Sequence, residues 1–361
     1  MTRRLPSLVP FAGLVLLVVT WGRELPPVGA VLLALLHVAV VVTAVTHAEE
    51  IAHRVGEPFG TLVLAVAVTV IEVALIVTLM ITEGDRAATL ARDTVFAAVM
   101  IVCNGIIGVC LLLAARRSHL VRFSEQGAYA LLGTVLVLAT LSLVMPRFTT
   151  STSGPTFTAS QLTFSAIASA TVYGIFVFVQ TRGLRWMFLD PDARPGDLDA
   201  DVALERPAIE VRPLLRRVAL LTVSLVVVVG LAKTLSPSIE DAIVWAGAPQ
   251  SFVGVVIALM VLLPESVAAF RAARRGEMQT SINLALGSAL ASIGLTIPAI
   301  AVASIWLEGD IVLGLGSKEI VLLVLTAVVA MLTFGSGRAT VLQATHHLVL
   351  FATFLFLSLV P

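Results

Sequence analysis

Charge is what this sequence has least of. Asp, Glu, Lys and Arg make up 13% of its 361 residues, where a soluble globular domain carries about a quarter. With 58% hydrophobic residues, the composition excludes a soluble enzyme or a soluble binding module. Acidic and basic residues balance at 23 each, so no net field points to a nucleic-acid partner. Cysteine is nearly missing: Cys103 and Cys110 stand seven apart, about 10 Å along one helix, beyond the reach of a disulfide. There is no glycine-rich phosphate loop, no Ser/His dyad in a recognisable frame and no metalloprotease signature. His47 and His53 are six apart, with Glu49 and Glu50 between them, which is not the His-Glu-x-x-His spacing. An ATP-driven pump and an intramembrane enzyme therefore lack their chemistry, and no bound cofactor is expected.

Apolar length is what the sequence does have. Runs of about 20 apolar residues recur along nearly all of it, which predicts an all-α polytopic membrane protein with about eleven transmembrane helices. The expected spans are 6–22, 28–46, 59–82, 94–115, 127–146, 160–181, 214–235, 250–272, 279–305, 319–334 and 339–360, with a short apolar segment at 239–248. The first is read as a span because Trp21-Gly22-Arg23-Glu24 makes a poor signal cleavage site. Residues 182–213, with four prolines and seven acidic groups, read as an acidic cytoplasmic linker. Asp197, Asp199 and Asp201 have the spacing of an EF-hand start. Val202 stands where that loop needs Gly, and Ala208 where it needs Glu. With the N-terminus inside, 17 of the 23 Lys and Arg flank the inner ends of the spans and 6 the outer ends. The positive-inside rule then puts the N-terminus and linker in the cytoplasm and the C-terminus outside, in a cell (inner) membrane.

One charge interrupts the third span. Apart from Glu72, nothing between Phe59 and Thr82 is charged. A carboxylate at that depth costs about 2.5–3.5 kcal/mol on insertion scales, so intramembrane acids are functional candidates. The eighth span holds the second one, in Val261-Leu262-Leu263-Pro264-Glu265-Ser266. Each acid is followed by a short charged stretch and then by a span with Asn and Gly: Asn104-Gly105 in one case, Asn283 with Gly287-Ser288 in the other. The chain thus divides into an extra helix (1–27), a five-helix repeat (28–181), the linker (182–213) and a second five-helix repeat (214–361). Five is odd, so the repeats are inverted, the pattern of secondary transporters that bind substrate at the bilayer midplane.

These residues resemble the calcium/cation antiporter superfamily, and within it the bacterial calcium/proton antiporters of the cation/proton exchanger branch. The first repeat motif is Gly56-Glu57-Pro58-Phe59-Gly60-Thr61-Leu62 with Ile71-Glu72-Val73, extended by Arg92-Asp93-Thr94 and Met100-Ile101-Val102. The second is Leu263-Pro264-Glu265-Ser266 with Asn283-Leu284-Ala285-Leu286-Gly287-Ser288. Phe334-Gly335-Ser336-Gly337-Arg338 and the helix with His346 also fit. The resemblance implies exchange of calcium for protons by alternating access. Departures at Asn104-Gly105 and at Leu262-Leu263, which offers no polar match to Thr69, leave the ion open.

Two carboxylates suit a hard cation with six to eight oxygen ligands. Glu72 and Glu265 are expected to bind calcium and protons in turn, with Thr69, Asn104, Asn283 and Ser288 as further candidate ligands. Two carboxylates with one divalent cation, or with two protons, are neutral; the bare pair in low dielectric is disfavoured. A monovalent ion with one proton balances equally, so a sodium (potassium)/proton antiporter is the alternative. For Thr69, Asn104 and Ser288, helix packing is the competing role. Glu57 is either a gate or a helix-terminal carboxylate favoured by the dipole. His346 is a candidate for a proton path, against a satisfied core histidine. His47, Glu49, Glu50 and His53 read as a solvated interfacial turn.

Overall fold

Helix is the economical answer for an apolar chain in lipid, because it satisfies its own backbone. The structure, a computed structural model, describes residues 5–23, 25–55, 69–70, 72–78, 80, 88–191, 211–245, 247, 249, 251–306 and 311–360. Its helices are α1 (Leu5–Thr20), α2 (Pro27–Val55), α3 (72–78), α4 (Leu90–Ser118), α5 (Glu125–Phe148), α6 (Ala159–Arg182), α7 (Val211–Trp245), α8 (Phe252–Arg275), α9 (Met278–Ala303), α10 (Ser317–Phe334) and α11 (Val341–Leu359). Two short strands, β1 (Val121–Arg122) and β2 (Arg338–Ala339), pair antiparallel. Among the described residues, eight helices are long and apolar enough to cross a membrane, or nine when the bent α8 counts as one span. The apolar part of α1, Leu8–Thr20, is shorter, and most of the expected span at 59–82 lies outside the described residues.

The chain forms two compact units. Unit 1 comprises Met1–Ala87 and Glu205–Val253; unit 2 comprises Ala88–Leu204 and Gly254–Pro361. Each expected repeat therefore contributes helices to both units. In unit 1, α2 lies along α7 and α1 packs on both. Leu17, Leu33, Val40, Val41, Ala44, Val227, Val228, Leu231 and Leu235 form its core. Gly13 permits this crossing: a Cβ there would stand 2.6 Å from Val227 Cγ1.

In unit 2, α4 is the central helix, with 89% of its apolar window buried; α9 follows at 61%. The α4 helix packs on α11, and α9 packs on α5 and α6. Helix starts are set by local chemistry. Ser124 Oγ accepts from Gly127 N at the start of α5. Thr158 with Gln161 and Thr340 with Gln343 form reciprocal capping boxes on α6 and α11. Inside α4, Ile101–Ile106 takes a π-helical turn, a local widening found often at functional sites.

One expectation is corrected. The segment at 239–248 is not separate: α7 runs unbroken from Val211 to Trp245 with Pro237 inside it. Leu235 and Ile239 pack on the same core on either side of that proline and hold the helix together. The start of the stretch read as a linker carries local structure. Arg185–Phe188 forms a 3₁₀ turn, and Phe188 is buried edge-on against Phe176 with ring centroids 5.7 Å apart. Residues 192–210 lie outside the described residues.

Candidate functional site

The candidate site residues fall in both units, and each group is described within its own unit. In unit 1, Glu72 lies in helical residues and is 3% exposed; Thr69, three residues earlier and also helical, is 5% exposed. An acid and a hydroxyl one turn apart share a helix face. Glu57 lies outside the described residues.

Nearby in the chain, α2 continues past its expected end and carries His47 and Glu50. Both lie on this helix rather than in a turn, with the Glu50 side chain 37% exposed; the side chains of Glu49 and His53 lie outside the described residues. His47 is fully buried, because Arg217 of α7 reaches both groups. Its Nε meets Glu50 Oε2 at 2.5 Å, and its Nη1 lies 3.2 Å from His47 Nδ1. Guanidinium only donates, so His47 accepts through Nδ1 and holds its proton on Nε2. The triad ties α2 to α7.

In unit 2, Glu265 is half-buried and lies just past a break in α8. The two parts, Phe252–Leu263 and Glu265–Arg275, meet at 54°. Proline removes a backbone donor and bends a helix there. Ser266 Oγ donates to the Leu262 carbonyl at 2.6 Å, so its hydroxyl serves its own helix.

Asn104 and Asn283 are both engaged in packing. Asn104 is fully buried in the π-helical turn. Its Nδ2 donates to Thr326 Oγ1 at 2.9 Å, and its Oδ1 faces His347 Nδ1 at 3.4 Å. His347 Nε2 meets Thr333 Oγ1 at 3.1 Å. This network joins α4, α10 and α11. Asn283 donates from Nδ2 to the Phe188 carbonyl at 2.6 Å and accepts from Gln279 Nε2 at 2.9 Å. Gln279 Oε1 in turn accepts from the Ser124 backbone at 2.7 Å. Asn283 and Gln279 thereby dock the 3₁₀ turn and the start of α5 onto α9. Ser288 is half-buried, next to Gly287, around which a Cβ would meet nothing within 4 Å.

His346 is exposed on α11, and the inward-facing residue is His347. The signal was in the sequence. Ala344, His347, Leu350 and Phe354 form the buried stripe of α11 at three- and four-residue spacing, and His346 is out of phase with it. Thr326, Gln279 and Arg217 were missed for another reason: their roles depend on partners far away in the chain.

The fold is a polytopic helical bundle with one interrupted helix, and comparisons with known proteins place it in a family. The profile of the family described as "Sodium/calcium exchanger protein" matches residues 25–182 and 217–360. The chain belongs to that family. It is 44% identical to the protein y4hA of Sinorhizobium fredii over 98% of this chain and 95% of that protein. It is 34% identical to the sodium-potassium/proton antiporter ChaA of Escherichia coli over 96% of this chain and 93% of ChaA. Solved structures share the fold. YfkE matches with a TM-score of 0.69 at 17% identity, covering 98% of this chain and 99% of YfkE. The H+/Ca2+ exchanger CAX matches with 0.70 at 16%, covering 97% and 86%. This member of the exchanger family is a multi-pass membrane transporter of the cation/proton exchanger branch, and its family and neighbours are antiporters, not enzymes.

Proposed function

We propose that this exchanger moves calcium against protons, with Glu72 and Glu265 binding the cation and the protons in turn. The observation that carries the reading is the burial of Glu72, 3% exposed within an apolar segment. A carboxylate kept there needs neutralisation by a cation or a proton. One divalent cation, or two protons, cancels the charge of the pair, and only neutral forms switch access readily. Exchange is then obligatory on electrostatic grounds. Thr69 and Ser288 enter as oxygen ligands. Asn104 and Asn283, held by packing partners, join the coordination only after a change of partner. Calcium and protons are substrates, and the bilayer is the working environment. The Lys and Arg distribution supports a cytoplasmic N-terminus and an external C-terminus.

Sodium or potassium exchange on the same residues is the second reading, favoured by the sodium-potassium/proton antiporter among the relatives. Everted vesicles energised with a proton gradient test both. Calcium-dependent dissipation of the gradient, lost in E72Q and in E265Q, is the expected result. Full exchange in either variant overturns the assignment of the acids. A response to sodium or potassium with none to calcium establishes the second reading.

A further inference from the structure

The Phe334–Arg338 motif is not among the residues proposed to bind the cation, and the fold places it in an unusual contact. In the β1–β2 ladder, Val121 faces Ala339 and Arg122 faces Arg338. Val121 and Ala339 are buried; Arg122 and Arg338 are exposed. Residues directly opposite in an antiparallel pair project on the same side, with Cβ atoms about 4.5–5.5 Å apart, and like charges there are destabilising. A one-residue slip is disfavoured, because it would turn the slipping strand's arginine inward and its apolar side chain outward. Phe123 N donates to the Gly337 carbonyl at 3.1 Å, and Phe123 packs edge-on against Phe334 at 5.7 Å, fixing the alignment from both sides. Gly337, at φ 60°, makes the turn that delivers Arg338 into the strand.

Among the described residues, no acid forms an ion pair with Arg122 or Arg338; the pairs there are Arg92–Asp93, Arg217–Glu50, Arg275–Glu277 and Lys318–Glu319. Glu125, three residues beyond Arg122, is exposed and pairs with neither. The surroundings add positive potential. Each strand leads within three residues into a helix N-terminus, that of α5 at Glu125 and that of α11 at Val341, the positive end of the helix dipole. Arg116 and Arg117 occupy the last turn of α4 just before β1. Both arginines belong to the set that the charge distribution assigns to the cytoplasmic side.

We propose that Arg122 and Arg338 form a clamp for a phosphate oxyanion, presented by a phospholipid headgroup or as free phosphate. Two arginines opposite each other on the exposed side of the ladder can both reach one phosphate, whose geometry a guanidinium fork matches, and the anion removes the repulsion that the register imposes. Bound there, it ties the loop after α4 to the loop after α10.

Thermal unfolding of the full-length protein in a neutral detergent tests this. Phosphatidylglycerol, phosphatidylcholine and inorganic phosphate are each titrated. Phosphatidylglycerol is expected to raise Tm, and phosphatidylcholine is not. A response to inorganic phosphate as well identifies the free anion as a ligand; a response to phosphatidylglycerol alone identifies the headgroup. R122Q and R338Q are each expected to weaken the response about tenfold, the loss of one charge-assisted hydrogen bond, and R122Q/R338Q to abolish it. R122K/R338K keeps both charges without the forks and is expected to respond more weakly than wild type. No response from wild type overturns the clamp. So does an equal response from R122Q/R338Q, or from R122K/R338K, which would leave only general surface charge.

Discussion

His346 and His347 are adjacent in sequence and opposite in environment. One step along α11 turns the ring by about 100°, from an exposed face to a fully buried one. His347 then completes a network with Asn104, Thr326 and Thr333. Removing it leaves buried polar atoms unpaired. H347A is expected to cost about 1–2 kcal/mol, seen as a lower Tm in detergent, while H346A leaves Tm unchanged. Outside the spans, Glu277 allows a pH prediction. Hydrogen bonds from the Arg275 guanidinium at 2.8 and 2.7 Å hold its carboxyl below the usual range. A carboxyl lowered on folding adds stability above its unfolded pKa and loses it as pH falls through the folded value. The pair is exposed, so the effect on stability is small. The NMR titration midpoint of Glu277 should rise in R275Q; an unmoved midpoint would contradict the pairing. At this scale the sequence identified Glu72 as a buried acid from its apolar flanks alone. It did not identify Asn104 as a packing residue, because Thr326 and His347 lie more than 200 positions away.

At the level of helices, small residues decide which pairs come close. A Cβ on Gly294 of α9 would stand 2.8 Å from Tyr173 Cβ of α6, and one on Gly108 of α4 would stand 2.9 Å from Leu348 Cγ of α11. Neither Cβ nor backbone can swing aside, so G294V is expected to destabilise by about 1–3 kcal/mol. G287A, which meets nothing within 4 Å, should leave Tm unchanged; comparing the two unfolding curves checks the contrast. Hydropathy located most of the spans, because burying about 20 apolar residues in lipid outweighs local propensity. It failed where packing overrode a local signal. The span at 214–235 and the segment at 239–248 read as separate, yet α7 continues through Pro237, held by Leu235 and Ile239 on one core. The 3₁₀ turn at Arg185–Phe188 reads as linker until Asn283 and Phe176 are seen to hold it.

Across the whole molecule, the order of helices in the chain and their grouping in space differ. The sequence suggests two successive repeats, whereas the compact units each draw helices from both. The expected orientation remains a matter of charge, and a reporter enzyme active only outside the cytoplasm checks it. Fused after Pro361, it should be active; fused within 192–210, it should be silent. Activity at both positions would contradict the proposed topology. What the sequence settled by itself was the class, a helical membrane transporter, since the solvation energies of apolar runs depend on composition and length. The tertiary structure decided which polar groups are spent on holding helices together, which histidine faces inward, and that Arg122 and Arg338 stand opposite each other. Those outcomes follow from packing and hydrogen bonds between residues remote in the chain, for which a linear pattern carries no distance information.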